Sequence, residues 1–131
     1  MKLTWTPSGG AGAVVLGDDS VKSTIIVEQL DAPALVQKLL FFRGVTAQLV
    51  ARGGDEGTFV CVIQPALANA DAASAYLKTE LGRSGQAGSL AWGRVGAIFT
   101  FNGAVLRRVT LAELNGARLR LRYTFGFSSL A

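Results

Sequence analysis

From Ala117 to Phe127 the chain alternates without a break. Ala117, Leu119, Leu121, Tyr123, Phe125 and Phe127 are apolar or aromatic, and Arg118, Arg120, Arg122, Thr124 and Gly126 lie between them. Successive side chains of a strand point to opposite faces. As a strand this stretch therefore presents one continuous apolar row and puts all its arginines on the other side. A strand of that kind must bury one face, and a chain of 131 residues does so around one core, as a single domain spanning residues 1 to 131.

The rest of the chain reads in the same way. Short β-rich runs at 13 to 16 and 23 to 30 follow a glycine-broken first segment, in which Ser8-Gly9-Gly10-Ala11-Gly12 reads as a loop and Gly17-Asp18-Asp19-Ser20 as a turn. The segment 31 to 42 allows a short helix capped by Asp31 or a buried strand, with strand favoured for 36 to 42. VTAQLVA and TFVCVIQ both alternate, and Gly53-Gly54-Asp55-Glu56-Gly57 between them predicts a hairpin. NADAASAYLKTELG predicts the one helix, near 70 to 82. Asn69 or Asp71 is its N-cap, Gly82 its left-handed C-terminal residue, and Ala73, Tyr76, Leu77 and Leu81 its covered face. Strands are then expected at 89 to 95, 97 to 101, 104 to 111 and 117 to 127, with hairpin turns at Asn102-Gly103 and Asn115-Gly116. The expected fold is mainly β (α+β): a β-sandwich or small barrel of about eight strands with one flanking helix.

Several chemistries are excluded by what the chain lacks. It has no histidine, so nucleophile activation by imidazole, histidine metal sites and a histidine general base are all out of reach. Its single cysteine, Cys61, permits neither an internal disulfide nor a cysteine-based zinc site, and in TFVCVIQ it reads as a small buried hydrophobe. The adjacent acids Asp18-Asp19 and Asp55-Glu56 sit beside glycine and read as solvated loop tips rather than a catalytic or metal-binding pair. No phosphate-binding or dinucleotide glycine pattern occurs in a strand-to-helix context. The apolar runs are too short for a membrane-spanning helix, and MKLTWTPSGG has no apolar stretch behind its lysine, so no secretory signal is expected. No cofactor, small-molecule substrate or catalysis is expected.

The net charge of +4 permits contact with nucleic acid, an acidic partner or a membrane surface without selecting among them. A single-stranded nucleic-acid track wants aromatics on the same face as the cations, so that bases can stack. Here the aromatics occupy the opposite face. An interface with another protein chain fits better, because the planar guanidinium pairs carboxylates at two points. Alternation also places one of Arg107 and Arg108 on each face of its sheet. Ile98, Phe99, Phe101, Val105 and Leu106 likewise leave neither face wholly polar, so both faces are expected to be covered.

The order of pieces from residue 41 to 127 resembles that of phage-type minor tail proteins. Phe42-Arg43-Gly44 precedes an alternating hairpin; an alanine-rich helix follows, then a strand bearing Gly93 or Gly96, then a last strand with Tyr123-Thr124-Phe125. The chain departs from the family pattern at Val45, where an asparagine usually follows Arg-Gly. The resemblance implies a tail-tube-like β-sandwich with one helix, of the kind found in tail-tube, distal-tail and tail-completion proteins. It also implies a virion location after synthesis in the bacterial host cytoplasm, and assembly with itself into a three-fold or six-fold ring and with neighbouring tail proteins. Such proteins carry no cofactor and touch DNA only as it passes a channel. Arg107, Arg108, Arg118, Arg120 and Arg122 are then candidates for subunit contacts, with no membrane partner.

Two other readings remain open at this point. A stand-alone binding module for a protein or carbohydrate would use Trp5 and Trp92 as surface anchors. A nucleic-acid binder would use the arginine face, with affinity falling steeply as salt rises.

Overall fold

The computed structural model describes residues 1–10, 12–18, 24–32, 34–42, 46–94 and 96–131, with 34–42 and 46–55 as backbone. The strands are β1 Lys2–Pro7, β2 Val14–Asp18, β3 Thr24–Asp31, β4 Ala34–Phe42, β5 Thr46–Asp55 and β6 Gly57–Gln64. After the helix α1, Ala70–Leu81, come β7 Gln86–Arg94, β8 Ala97–Asn115, β9 Arg118–Phe127 and β10 Ser129–Leu130. Eight strands form one antiparallel sheet in the order β2-β1-β7-β8-β9-β6-β3, with β10 paired to β8. The edge strands approach each other: a Cβ at Gly17 of β2 would run into Ile25 of β3 and touch Ile63 of β6. The sheet is thus curled almost to closure, a small barrel with one helix.

The core lies on the concave face. In β9, Leu119, Leu121, Tyr123, Phe125 and Phe127 are buried while the residues between them, apart from Gly126, reach the surface, as the alternation requires. Phe59 of β6 sits at the centre of an aromatic cluster, with ring centroids 5.0 Å from Phe101, 5.7 Å from Trp92 and 6.2 Å from Phe125. Trp5 is fully buried beside Phe125, and Cys61 is buried, as its surroundings in sequence predict.

Asn102-Gly103 does not make a hairpin. β8 runs through it, with β7 on one side and β9 and β10 on the other, so the strand has no room to reverse. The pair forms a bulge instead. Gly88 faces Ala104 and Leu90 faces Phe101, leaving Asn102 and Gly103 opposite Ser89, with Gly103 at φ 60°. On the other side the Asn102 carbonyl accepts hydrogen bonds from the Ser128 amide and hydroxyl, both at 2.9 Å, where β9 gives way to β10. Further irregularities at Arg107 and Ala112 bend this nineteen-residue strand around the barrel. Asn115-Gly116 does turn the chain: Asn115 faces Arg118 across the loop Gly116-Ala117, with Gly116 at φ 61°.

The hairpin expected between VTAQLVA and TFVCVIQ is also replaced. β5 pairs with β4, whereas β6 pairs with β3 and β9, and Gly53-Gly54 lie inside β5 opposite Val36 and Leu35. The segment 34 to 42 is a strand, as favoured for 36 to 42. In register, the two ladders are continuous. Asp31 faces Thr58, and three positions along each strand Ala34 faces Asp55. The chain from β3 to β6 is therefore one long hairpin whose near half belongs to the barrel and whose far half is a separate two-stranded arm. At about 3.4 Å per residue the nine residues of β4 span roughly 30 Å. Arg43-Gly44 lies outside the described residues.

α1 begins as predicted, with the Asn69 side chain accepting from the Ala72 amide at 2.8 Å. Its end differs: Gly82 is right-handed, at φ −70°. The covered face differs too. Ala73 is buried and Tyr76 and Leu77 pack against the core, but Leu81 is exposed and Glu80 takes the buried position.

Candidate assembly interface

Arg118, Arg120 and Arg122 stand in a row on the face of β9 opposite the core, and each has a hydrogen-bond or ion-pair partner within the chain. Arg122 Nε donates to Glu28 Oε1 at 2.6 Å, with Nη2 3.4 Å from Oε2. The hydrogen bond to Glu28, and then its charge, raises the Arg122 pKa still further above the ordinary value. Arg120 Nε donates to Gln64 Oε1 at 3.0 Å and lies 3.6 Å from Glu113, which is also 3.8 Å from Arg118. Ile26, half exposed, and Val62 fill the space between these charged groups, making a shallow depression with an apolar floor and a charged rim.

The geometry depends on bulges. Val27 faces Cys61 and Gln29 faces Val60, so Glu28 is an extra residue in β3. Glu28 and Gln29 are consequently both exposed, and the Glu28 carboxylate reaches two strands across to Arg122. In β8 the extra residue is Arg107: Leu106 faces Phe125 and Arg108 faces Thr124. This corrects the placement of Arg107 and Arg108 on opposite faces. With the bulge both arginines are outside, and Leu106 and Val109 on either side of them are buried. Arg107 pairs with Glu56 at the junction of β5 and β6.

Arg107, Arg108, Arg118, Arg120 and Arg122 thus share the outer surface of β8 and β9, while Asn102-Gly103 sits within β8 and Asn115-Gly116 at its end, in the turn to β9. On β9, Tyr123, Phe125 and Phe127 are core residues and are not available to stack with bases beside the arginines. Trp5 is no surface anchor either; its indole nitrogen donates to Gln86 Oε1 at 3.1 Å. Trp92 is partly buried, stacked on Phe99 with ring centroids 5.5 Å apart. Ile98 and Phe99 at the start of β8 are exposed and, with Leu130 and Ala131, line an apolar groove.

On the concave side, Tyr123 Oη donates to Glu80 Oε2 at 2.8 Å, and Arg83 Nε lies 3.0 Å from both oxygens of the same carboxylate. This network joins α1 to β9, and sequence periodicity missed it because a glutamate reads as a surface residue. Its only legible signal was the spacing of Ala73, Leu77 and Glu80 along one helical face. Among the described residues, no group of three or more cysteines and acids could hold a metal ion.

The chain matches no protein-family model, and no curated protein matches it. It is similar to a chain in the 6-fold symmetrised cryo-EM structure of the anti-feeding prophage (AFP) baseplate, with 12% sequence identity and a TM-score of 0.51 over 99% of this chain and 89% of that one. At that identity the likeness is one of fold: this mainly β chain shares its overall fold with a chain of that baseplate.

Proposed function

We propose that this protein is a structural component of a phage-type or phage-derived tail, working as a ring-forming or adaptor subunit through contacts with its own copies and with neighbouring tail proteins. The observation that carries this reading is the fold likeness to a baseplate chain across 99% of the residues, from a structure with 6-fold symmetry. The arm of β4 and β5 supports it. An isolated two-stranded ribbon is at best marginally stable in water. The sequence of β4, ALVQKLLFF, is largely apolar. Such a ribbon calls for another chain to pack against it. The arginine-bearing face of β9, with Ile26 and Val62 beside it, is a second contact surface on this reading.

The test is the mass of the purified protein across concentration, followed by negative-stain imaging of the heaviest species. Rings or short tubes are the expected result. A strict monomer at every concentration, in low and high salt, overturns self-assembly.

A further inference from the structure

Two glycines at the root of the arm are unexplained by backbone conformation. Neither Gly57 nor Gly126 has a φ in the left-handed region, and glycine in a regular strand weakens it. In both cases the space of a Cβ is already taken. At Gly57 it is filled by the ring of Phe127, which is buried on the concave side. At Gly126 it is filled by the guanidinium of Arg107. Arg107 stands on β8, Gly126 on the neighbouring β9, and Glu56 immediately precedes the start of β6 beyond it. The arginine therefore lies across β9, over a position without a side chain, to reach the acid at which the barrel ladder ends and the arm begins.

We propose that Arg107 is a positioning residue for the arm: by crossing Gly126 to hold Glu56, it sets the direction in which the β4–β5 ribbon leaves the barrel. The root is then clamped from both faces of the sheet, by the Phe127 ring against Gly57 on the inside and by the ion pair on the outside. A bulge supplies the reach, since the extra residue of a bulge re-aims its side chain. Both partners of the pair are more than half exposed, at 54% and 60%, so the clamp is one that salt weakens. A ribbon roughly 30 Å long amplifies any change at its root. An arm held in one direction binds with less loss of conformational freedom than one that swings. The consequence for assembly rests on the function proposed above; the positioning of the arm does not.

The experiment is a pulsed electron-spin distance measurement on the dilute protein, with labels at Gln48→Cys in the arm and Ser89→Cys on the barrel; Cys61 is buried and stays unlabelled. Arg107→Ala is expected to broaden the distance distribution at least about two-fold. Gly126→Ala is expected to do the same with both charges retained, because its Cβ evicts the guanidinium, the movable end of a flexible side chain. The exchange Arg107→Glu with Glu56→Arg is expected to restore the narrow distribution, and molar salt to widen that of the parent protein. Melting temperatures should stay the same throughout. Where the parent assembles, the single variants should raise the concentration for half-assembly by up to about five-fold, the range of an exposed ion pair. Equal widths in all variants overturn the proposal, and so does broadening that appears only with a lowered melting temperature. A parent that never assembles but whose arm loosens in these variants defeats self-assembly and leaves the positioning intact.

Discussion

The hydroxyl of Tyr123 on β9 donates a 2.8 Å hydrogen bond to the carboxylate of Glu80 on α1, in a place where Glu80 is only 3% exposed. The helix rests on the barrel through Ala73, Tyr76 and Leu77. The polar contact adds to that apolar packing in holding it down. Removing the hydroxyl by Tyr123→Phe should destabilise the fold by about 1.5–3 kcal/mol, the value of a hydrogen bond to a charged group. Glu80→Ala should cost at least as much, because it strands the hydroxyl in the core while Arg83, nearer the surface, turns to water. Urea denaturation followed by circular dichroism measures both; unchanged midpoints would show that the network contributes nothing.

The same network predicts behaviour in alkali. Burial, and then the charge of Glu80, pushes the Tyr76 phenol up to about 12 and raises that of Tyr123 well above its ordinary value. Both folded values exceed those of the unfolded chain, so the folded state holds these protons more tightly. Their contribution to stability is complete below about pH 10 and is lost as the pH rises through the folded values. These are the only two tyrosines in the chain. Phenolate absorbance should therefore stay low near pH 10 and rise together with loss of circular dichroism. A rise near pH 10 in the still-folded protein would contradict the buried placement.

Phe59 touches three aromatic neighbours at the centre of the barrel. Phe59→Ala should destabilise the protein by about 3–5 kcal/mol through lost burial and the cavity left behind. Phe59→Leu should cost much less. The ratio of the two losses, from chemical denaturation, reports how far the aromatic cluster can collapse.

Reversing Arg118, Arg120 and Arg122 together to glutamate places three acids beside Glu28 and Glu113 on one surface. The fold should survive, because these side chains lie outside the core. Assembly should be lost, as judged by mass against concentration. If the variant still assembles and only a measurable affinity for DNA disappears, the arginine face is not a subunit contact.

What the sequence determined by itself was local. Alternation in β9 placed Tyr123 and Phe125 inside and the arginines outside, because the two-residue period of a strand holds wherever pairing is regular. Asn69 and Asn115-Gly116 marked a helix start and a chain reversal through chemistry confined to neighbouring residues. Tertiary structure decided everything that depends on which strand lies beside which. Asn102-Gly103 carries the same turn chemistry as Asn115-Gly116, yet it bulges, because β8 there is paired on both sides. Alternation failed at Arg107-Arg108 and at Glu28-Gln29, where a single inserted residue shifts one strand against its partner, and no local pattern announces it. Glu80 became a core residue only because Tyr123, forty-three positions away, brought a hydroxyl to meet it. The pairing of β3 with β6, which divides the long hairpin into barrel wall and arm, joins segments that are not neighbours in the sequence. Only the packing of a whole sheet around Phe59 and Trp5 settles it.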